Sequence, residues 1–459
     1  MDLGFNVKEF SKNGLRVLNT PSCNNKISMA HYTAMSDLYD PKTNKNGYIS
    51  LGIAENVLSF DVMNDKLKHD PNFCQKHTQY CDLGGFVECR KAVADLLQNY
   101  IFKTKPQDPK NSVTWNQVLV SNGATPLLEN LFNLFCDEGE CAIIPSPLFP
   151  NFIPFANQRF GVKVIPAKTE VYDRESNELI DFKIDLDVFD ELYRKNKVKM
   201  VVLNNPNNPT GFIFPSNEIK KVVDWCRKKR VHLLSDEIYA LSIFDHHDED
   251  KMQGVLEQSN GSSLIKTNSF YSLYDICKGD MGDYCHIVSG FSKDFCINGF
   301  RAGYFYSQNP NVLKYMLVTS NYYCCSTLVQ SALINIISDK IYLENYLKEN
   351  QKRLKESYDF AVKYLNEFNI PFLKSSSGLF ISLDLRACLP SFPIDENDKF
   401  SQEIKIWDHL FENKIIVNPG KLCYFNDPGF FRLIFTLPND FVYEGIKRIS
   451  EVYNKLKKT

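Results

Sequence analysis

Four short apolar runs, each breaking into a turn and then a helical pattern, constrain the fold of this chain more than any other feature. They are Cys141-Ala142-Ile143-Ile144-Pro145-Ser146-Pro147, Lys199-Met200-Val201-Val202-Leu203-Asn204-Asn205-Pro206, Val231-His232-Leu233-Leu234-Ser235-Asp236-Glu237 and His286-Ile287-Val288-Ser289-Gly290-Phe291. Runs that are apolar at consecutive positions belong to strands buried on both faces. Strands of that kind spaced by helices predict an α/β fold with a mostly parallel central sheet. Polar residues cluster just after each run, where open α/β sheets bind ligands.

At 459 residues the chain exceeds one compact core, so two packed domains are expected. After about residue 325 the pattern changes. Residues 342–368 have helical spacing, 379–385 read as a strand, 408–411 as part of a helix and 430–435 as a further strand. That predicts a smaller α+β domain completed by the N-terminal segment. The expected division is an arm and part of the small domain over 1–75, a large domain over 76–325 and the C-terminal small domain over 326–459.

A net charge of -2 argues against nucleic acid or an anionic membrane as main partner. No apolar stretch approaches the ~20 residues of a membrane span. Residues 1–26 are polar and lack an apolar signal core, which predicts a cytoplasmic address. The 14 cysteines form no Cys-x-x-Cys pair and read as reduced, mostly buried small hydrophobes. The charged run over 245–250 reads as a solvated loop, not a metal site, and no metal is expected.

The chemistry gathers around Lys293, in Ser292-Lys293-Asp294, with Arg301 in the following Gly299-Phe300-Arg301. A lysine amine condenses with an aldehyde, a carboxylate keeps a pyridine nitrogen protonated, and an arginine grips a phosphate. Those are the parts that hold pyridoxal phosphate. Asp236, at the end of an apolar strand, reads as the pyridine's carboxylate or as a helix cap, with Tyr239 three residues on. Asn208, fixed among turn residues in Asn207-Asn208-Pro209-Thr210-Gly211, can donate to a phenolate oxygen. The turn before Ala124 and Thr125 reads as an anion site or a helix cap, and Phe149 as a stacking face or core. Arg432, inside the apolar Phe430-Phe431-Arg432-Leu433, needs a carboxylate, from a substrate or from a structural ion pair.

Taken together, these motifs resemble the fold-type I pyridoxal-phosphate enzymes of the class I/II aminotransferase family, and most of all the 1-aminocyclopropane-1-carboxylate (ACC) synthases. The resemblance rests on Leu51-Gly52-Ile53-Ala54-Glu55-Asn56, Ser235-Asp236-Glu237-Ile238-Tyr239, Ser292-Lys293-Asp294, Gly299-Phe300-Arg301 and Pro428-Gly429-Phe430-Phe431-Arg432. It implies an aspartate-aminotransferase-like fold. It assigns Lys293 as the cofactor-bearing lysine, Asp236 to the pyridine nitrogen, and Asn208 and Tyr239 to the ring hydroxyl. Phe149 would stack on the ring, while Ala124, Thr125, Ser292 and Arg301 would hold the phosphate. Arg432 would take the substrate carboxylate, with Glu55 near the substrate. Tyr80 would reach across the interface of a homodimer with shared sites.

The chain departs from the family pattern at Gly290, where a phosphate-binding serine is usual and where Ser289 or Ser292 would have to compensate. It departs again at the box around Tyr80, and at Phe149, which stands for a tyrosine. Thr210 gives Asn-Pro-Thr-Gly, the spelling common among aminotransferases, where plant ACC synthases have Asn-Pro-Leu-Gly. The expected function is α,γ-elimination on S-adenosylmethionine to ACC and methylthioadenosine, with Lys293 taking the Cα proton. The alternative is amino-group transfer between an amino acid and a 2-keto acid. A non-catalytic sensor built on the same fold is the third reading.

Overall fold

In the computed structural model, which describes residues 11–19, 26–68, 74–105, 112–245 and 268–457, the apolar runs become neighbours in one sheet. Its strands are Val118–Ser121 (β1), Cys141–Ser146 (β2), Lys163–Lys168 (β3), Val198–Asn204 (β4), His232–Asp236 (β5), Cys285–Gly290 (β6) and Gly303–Ser307 (β7). Their order is β1-β7-β6-β5-β4-β2-β3. Every pairing is parallel except the two made by β7. Each residue of β2 and β6 is buried, as a strand covered on both faces requires. Pro166 sits in β3, which is an edge strand and can spare the missing N–H. Helix Ala124–Phe135 (α1) buries Leu127, Leu128, Leu131 and Phe132 on one face.

A second sheet, antiparallel throughout, is built from Phe372–Leu373 (β8), Phe380–Asp384 (β9), Asn418–Pro419 (β10) and Phe430–Ile434 (β11), in the order β8-β9-β11-β10. Beside this sheet Ile49–Ser50 pairs in parallel with Ile415–Ile416, and Ile49 and Leu51 are buried in the same core as β9 and β11. Lys340–Glu367 (α2) threads both cores. Its Leu343, Tyr346 and Leu347 pack with the large sheet, and Leu354, Tyr358, Ala361 and Leu365 with the small one. Asn439–Lys457 (α3) covers the small core with Val442, Ile446 and Ile449.

The two sheets meet at the turn after β4. Ser382 Oγ donates to Pro209 O at 3.2 Å, and Ser377 Oγ to Gly211 O at 2.8 Å. The Tyr239 and Phe380 rings meet edge to face, 5.3 Å between centroids. No helix among the described residues is long and apolar enough to cross a membrane. Of the charged run over 245–250, residues 246–250 lie outside the described residues, and no metal-ligating cluster occurs among the described ones. Cys23 also lies outside them; the 13 described cysteines are free, and most are buried.

Candidate active site

The ends of β4, β5 and β6 open into a cavity of about 550 Å³ that the small sheet closes from the other side. That volume suits a small-molecule site. The cavity brings together Lys293, Asp236, Tyr239, Asn208, Ser292, Arg301, Arg432, Phe149, Ala124 and Thr125, from segments scattered across the chain.

Asp236 ends β5 and is buried, yet the donor it finds is the Ile238 N–H at 3.3 Å, a weak bond for a carboxylate. Burial raises its pKa to about 7. The next residue shows the contrast. Glu237, equally buried, accepts from the Ser235 hydroxyl at 2.9 Å, the Ser272 hydroxyl at 2.7 Å and the Leu273 N–H at 2.8 Å. Asp236 is the acid left short of donors, and it faces the cavity.

Lys293 lies in the one-turn helix Phe291–Asp294 that follows β6. Its amine donates to Ala54 O at 2.6 Å. Burial first, then the charge of Arg432, lowers its pKa to about 8, against the opposing pull of Glu55. Glu55 itself is exposed, beside the cavity-lining Gly52, Ile53 and Ala54.

Arg432 comes from the centre of β11 and is 4% exposed. Its Nη1 donates to Asn208 Oδ1 at 2.8 Å and its Nη2 to Gly52 O at 2.6 Å, while Nε has no partner. No carboxylate of the described residues pairs with it. The Asn208 side chain also reaches the Tyr239 hydroxyl, whose phenol burial pushes up in pKa.

Gly123, with φ 91°, caps α1 in a conformation other residues resist. A Cβ there would come within 2.9 Å of Arg301 Nη2. Free N–H groups of a helix start and a guanidinium thus converge on one point beside Ala124, Thr125 and Ser292.

Gly290 is resolved by its surroundings. A Cβ at this position would lie 2.9 Å from Ala302 O and 3.2 Å from Gly303 Cα, so a serine would require the backbone of β7 to shift away from β6. Of the two candidates to compensate, Ser289 points away, its hydroxyl donating to Glu237 O at 3.0 Å. Ser292 lines the cavity.

Tyr80 is not brought to the cavity within one chain; its side chain is fully exposed. The sequence reading also missed His31, Asn418, Leu422 and Tyr424, all of which line the cavity. His31 sits in the helix Lys26–Met35, far away in sequence, and nothing in its local pattern marks it.

These features fit pyridoxal phosphate: an under-bonded buried carboxylate for the ring nitrogen, an amine for the aldehyde, and a helix start with an arginine for the phosphate.

Comparison with known proteins agrees. The family described as aminotransferase class I and II matches residues 49–449. The 1-aminocyclopropane-1-carboxylate synthase 8 of Arabidopsis thaliana is 31% identical over 411 residues, covering 86% of this chain and 81% of that protein. A mouse relative, named probable inactive 1-aminocyclopropane-1-carboxylate synthase-like protein 2, is 28% identical over 440 residues, covering 94% of this chain and 70% of that one. Among solved structures, an aspartate aminotransferase double mutant from Thermus thermophilus superposes with a TM-score of 0.70 at 19% identity, covering 95% of this chain and 98% of the other, which shows the shared fold. By the extent of the family match, this chain belongs to the class I and II aminotransferases, a family that uses pyridoxal phosphate, and within it resembles the ACC synthases.

Proposed function

We propose that the cavity binds pyridoxal phosphate together with an α-amino acid, and that the enzyme is of the ACC synthase type, acting on S-adenosylmethionine. The observation that carries the amino-acid reading is Arg432, a buried guanidinium with an unused Nε–H and no carboxylate partner among the described residues, in the same cavity as Lys293. Choice of S-adenosylmethionine is supported by the 31% identity to a plant synthase over most of the chain.

In this reading Ala124, Thr125, Ser292 and Arg301 hold the phosphate, Asp236 the ring nitrogen, Asn208 and Tyr239 the ring hydroxyl, and Phe149 one face of the ring. When bound, the cofactor supplies a sink for the electron pair left on Cα. Arg432 holds the substrate carboxylate and so fixes the direction of the Cα–H bond. Lys293, with its pKa lowered to about 8, has a neutral fraction near physiological pH and takes the Cα proton at Nζ. The pair on Cα then closes onto Cγ as the Cγ–S bond breaks, and methylthioadenosine leaves with the sulfur pair. Tyr80, fully exposed here, belongs to this reading as a residue that completes the partner's site in a homodimer, with Glu55 beside the substrate. The free, mostly buried cysteines suit a cytoplasmic address.

A second reading, amino-group transfer, is favoured by Thr210. It is buried in the Asn-Pro-Thr-Gly turn, its hydroxyl donating to Asn207 Oδ1 at 2.7 Å and accepting from the Phe212 N–H at 3.1 Å. Incubating the holoenzyme with S-adenosylmethionine separates the two. The synthase reading expects ACC and methylthioadenosine in equal amounts. Amino-group transfer to a 2-keto acid, with no ACC formed, would leave the aminotransferase reading in its place. A holoenzyme inert in both assays would return the chain to the sensor reading.

A further inference from the structure

Tyr424 holds a backbone conformation that its side chain opposes. Its φ is 59°, in the left-handed region that bulky residues avoid, and it nevertheless lines the cavity. Strain of this kind persists only where the surroundings over-determine it, and it gathers at ligand sites.

Those surroundings are two buried acids and a strand connection. Glu403, fully buried in the helix Ser401–Glu412, accepts from the Lys421 N–H at 2.7 Å and the Gly429 N–H at 2.6 Å, pinning both ends of the loop. Glu170, buried on the large-sheet side, accepts from the Asn426 N–H at 2.8 Å and from its side-chain amide. The Leu148 N–H donates to Cys423 O at 2.8 Å, tying the loop to the segment that carries Phe149. The loop over 420–429 is thus fastened to both halves of the molecule, and the fastening presents Leu422 and Tyr424 to the cavity.

The charges facing that cavity are already committed. Asp236, Lys293, Arg301 and Arg432 are taken up by the cofactor and the α-carboxylate in the function proposed above, on which this inference rests. What remains on the substrate side is uncharged or apolar: Ile27, Ile53, Leu422, Tyr424, Asn418 and His31. Burial and the charge of Arg432 keep His31 on the neutral side. Among the described residues, no second cation lines that space to receive an acidic side chain.

We propose that Tyr424 is a specificity-determining residue, whose ring receives a substrate side chain that is flat, apolar or, as the sulfonium of S-adenosylmethionine is, cationic, and disfavours acidic ones. The pinned loop fixes where the Tyr424 backbone stands, which lowers the entropy cost of bringing its partly exposed ring onto a ligand.

The test uses the holoenzyme and reads binding of methionine, phenylalanine and aspartate from the change in cofactor absorbance. The wild type is expected to bind phenylalanine and methionine about 10-fold or more tighter than aspartate, the scale on which pocket contacts discriminate. Tyr424→Phe should keep that ratio. Tyr424→Gly and Tyr424→Asn, both of which accept the backbone, should lose most of it by weakening phenylalanine and methionine binding, with no fall in melting temperature. Aspartate bound as tightly as phenylalanine, or a ratio unmoved in both variants, overturns the proposal while leaving the amino-acid site intact. If no amino acid changes the absorbance, the site reading itself fails, and this inference with it.

Discussion

Two arginines are buried to a similar degree in the small half of this molecule, and they differ in what they lack. Arg448, on α3, donates to Glu444 at 2.8 Å and to the carbonyls of Gly47 and Lys45 at 2.9 and 2.8 Å. Among the described residues, Arg432 has two neutral acceptors, an idle Nε–H and no carboxylate. A buried charge is tolerated when its partners are present and is costly when they are missing. Arg448 therefore reads as architecture, fastening the segment before Ile49 to α3, and Arg432 as a group whose unused donor suits an anionic ligand. The neighbours Asp236 and Glu237 repeat the lesson with acids, one weak donor against three good ones. Deficit, not burial, separates the two classes.

Lys293 belongs with the under-partnered group, and its removal should have the largest effect. Lys293→Ala is expected to lower turnover by about 10³-fold or more, since in the proposed function it removes both the cofactor's attachment point and the base. Melting of the apoprotein should not fall, because a buried amine with a depressed pKa is lost. A large drop in melting temperature would place Lys293 with Arg448 and break the comparison.

The arginines provide the direct contrast. Arg432→Ala should raise KM by about 10–100-fold, the worth of a charge-assisted bond to a carboxylate, with the fold nearly as stable as before. Arg448→Ala should cost about 3 kcal/mol of stability, because Glu444 and two carbonyls lose their donors, and should leave KM alone. Steady-state kinetics beside thermal melts of both variants check this, and matching profiles would dissolve the distinction.

Much of this was legible in the sequence because charges stand out against apolar strands. Asp236, Lys293, Arg301 and Arg432 each interrupt or flank such a run, and all four reach the cavity. The direction of β7 was not legible, since an antiparallel strand buried on both faces has the same apolar pattern as a parallel one. Which of Asp236 and Glu237 faces the ligand depends on a one-residue phase that the alternation of a strand amplifies into opposite sides. His31 reaches the site only through the packing of its helix. Tyr424 reaches it through a left-handed turn that only the fold imposes. Tyr80 came from family likeness alone, and a single chain leaves it in solvent.

The pH dependence of melting is the most discriminating measurement. Burial raises the Asp236 pKa from 3.8 to about 7, so between those values the folded apoprotein holds a proton that the unfolded chain has released. Stability therefore falls as pH rises through that window, and the full penalty, on the order of 4 kcal/mol, applies above pH 7. Asp236→Asn removes the titrating group. Near pH 4 the variant and the wild type should melt alike, and at pH 8 the variant apoprotein should melt a few degrees higher. Glu237 titrates in the same range from the same cause, so a slope alone does not identify its owner. Cofactor does. A ring nitrogen that carries a proton favours ionised Asp236, so adding pyridoxal phosphate should flatten the wild-type slope between pH 5 and 8 in proportion to what Asp236 contributes. In Asp236→Asn, where the remaining slope belongs to Glu237 and other acids out of the ligand's reach, the same addition should leave the slope unchanged. Melts at the two pH values with and without cofactor measure this directly, and equal flattening in both proteins would assign the ligand-facing role to another acid.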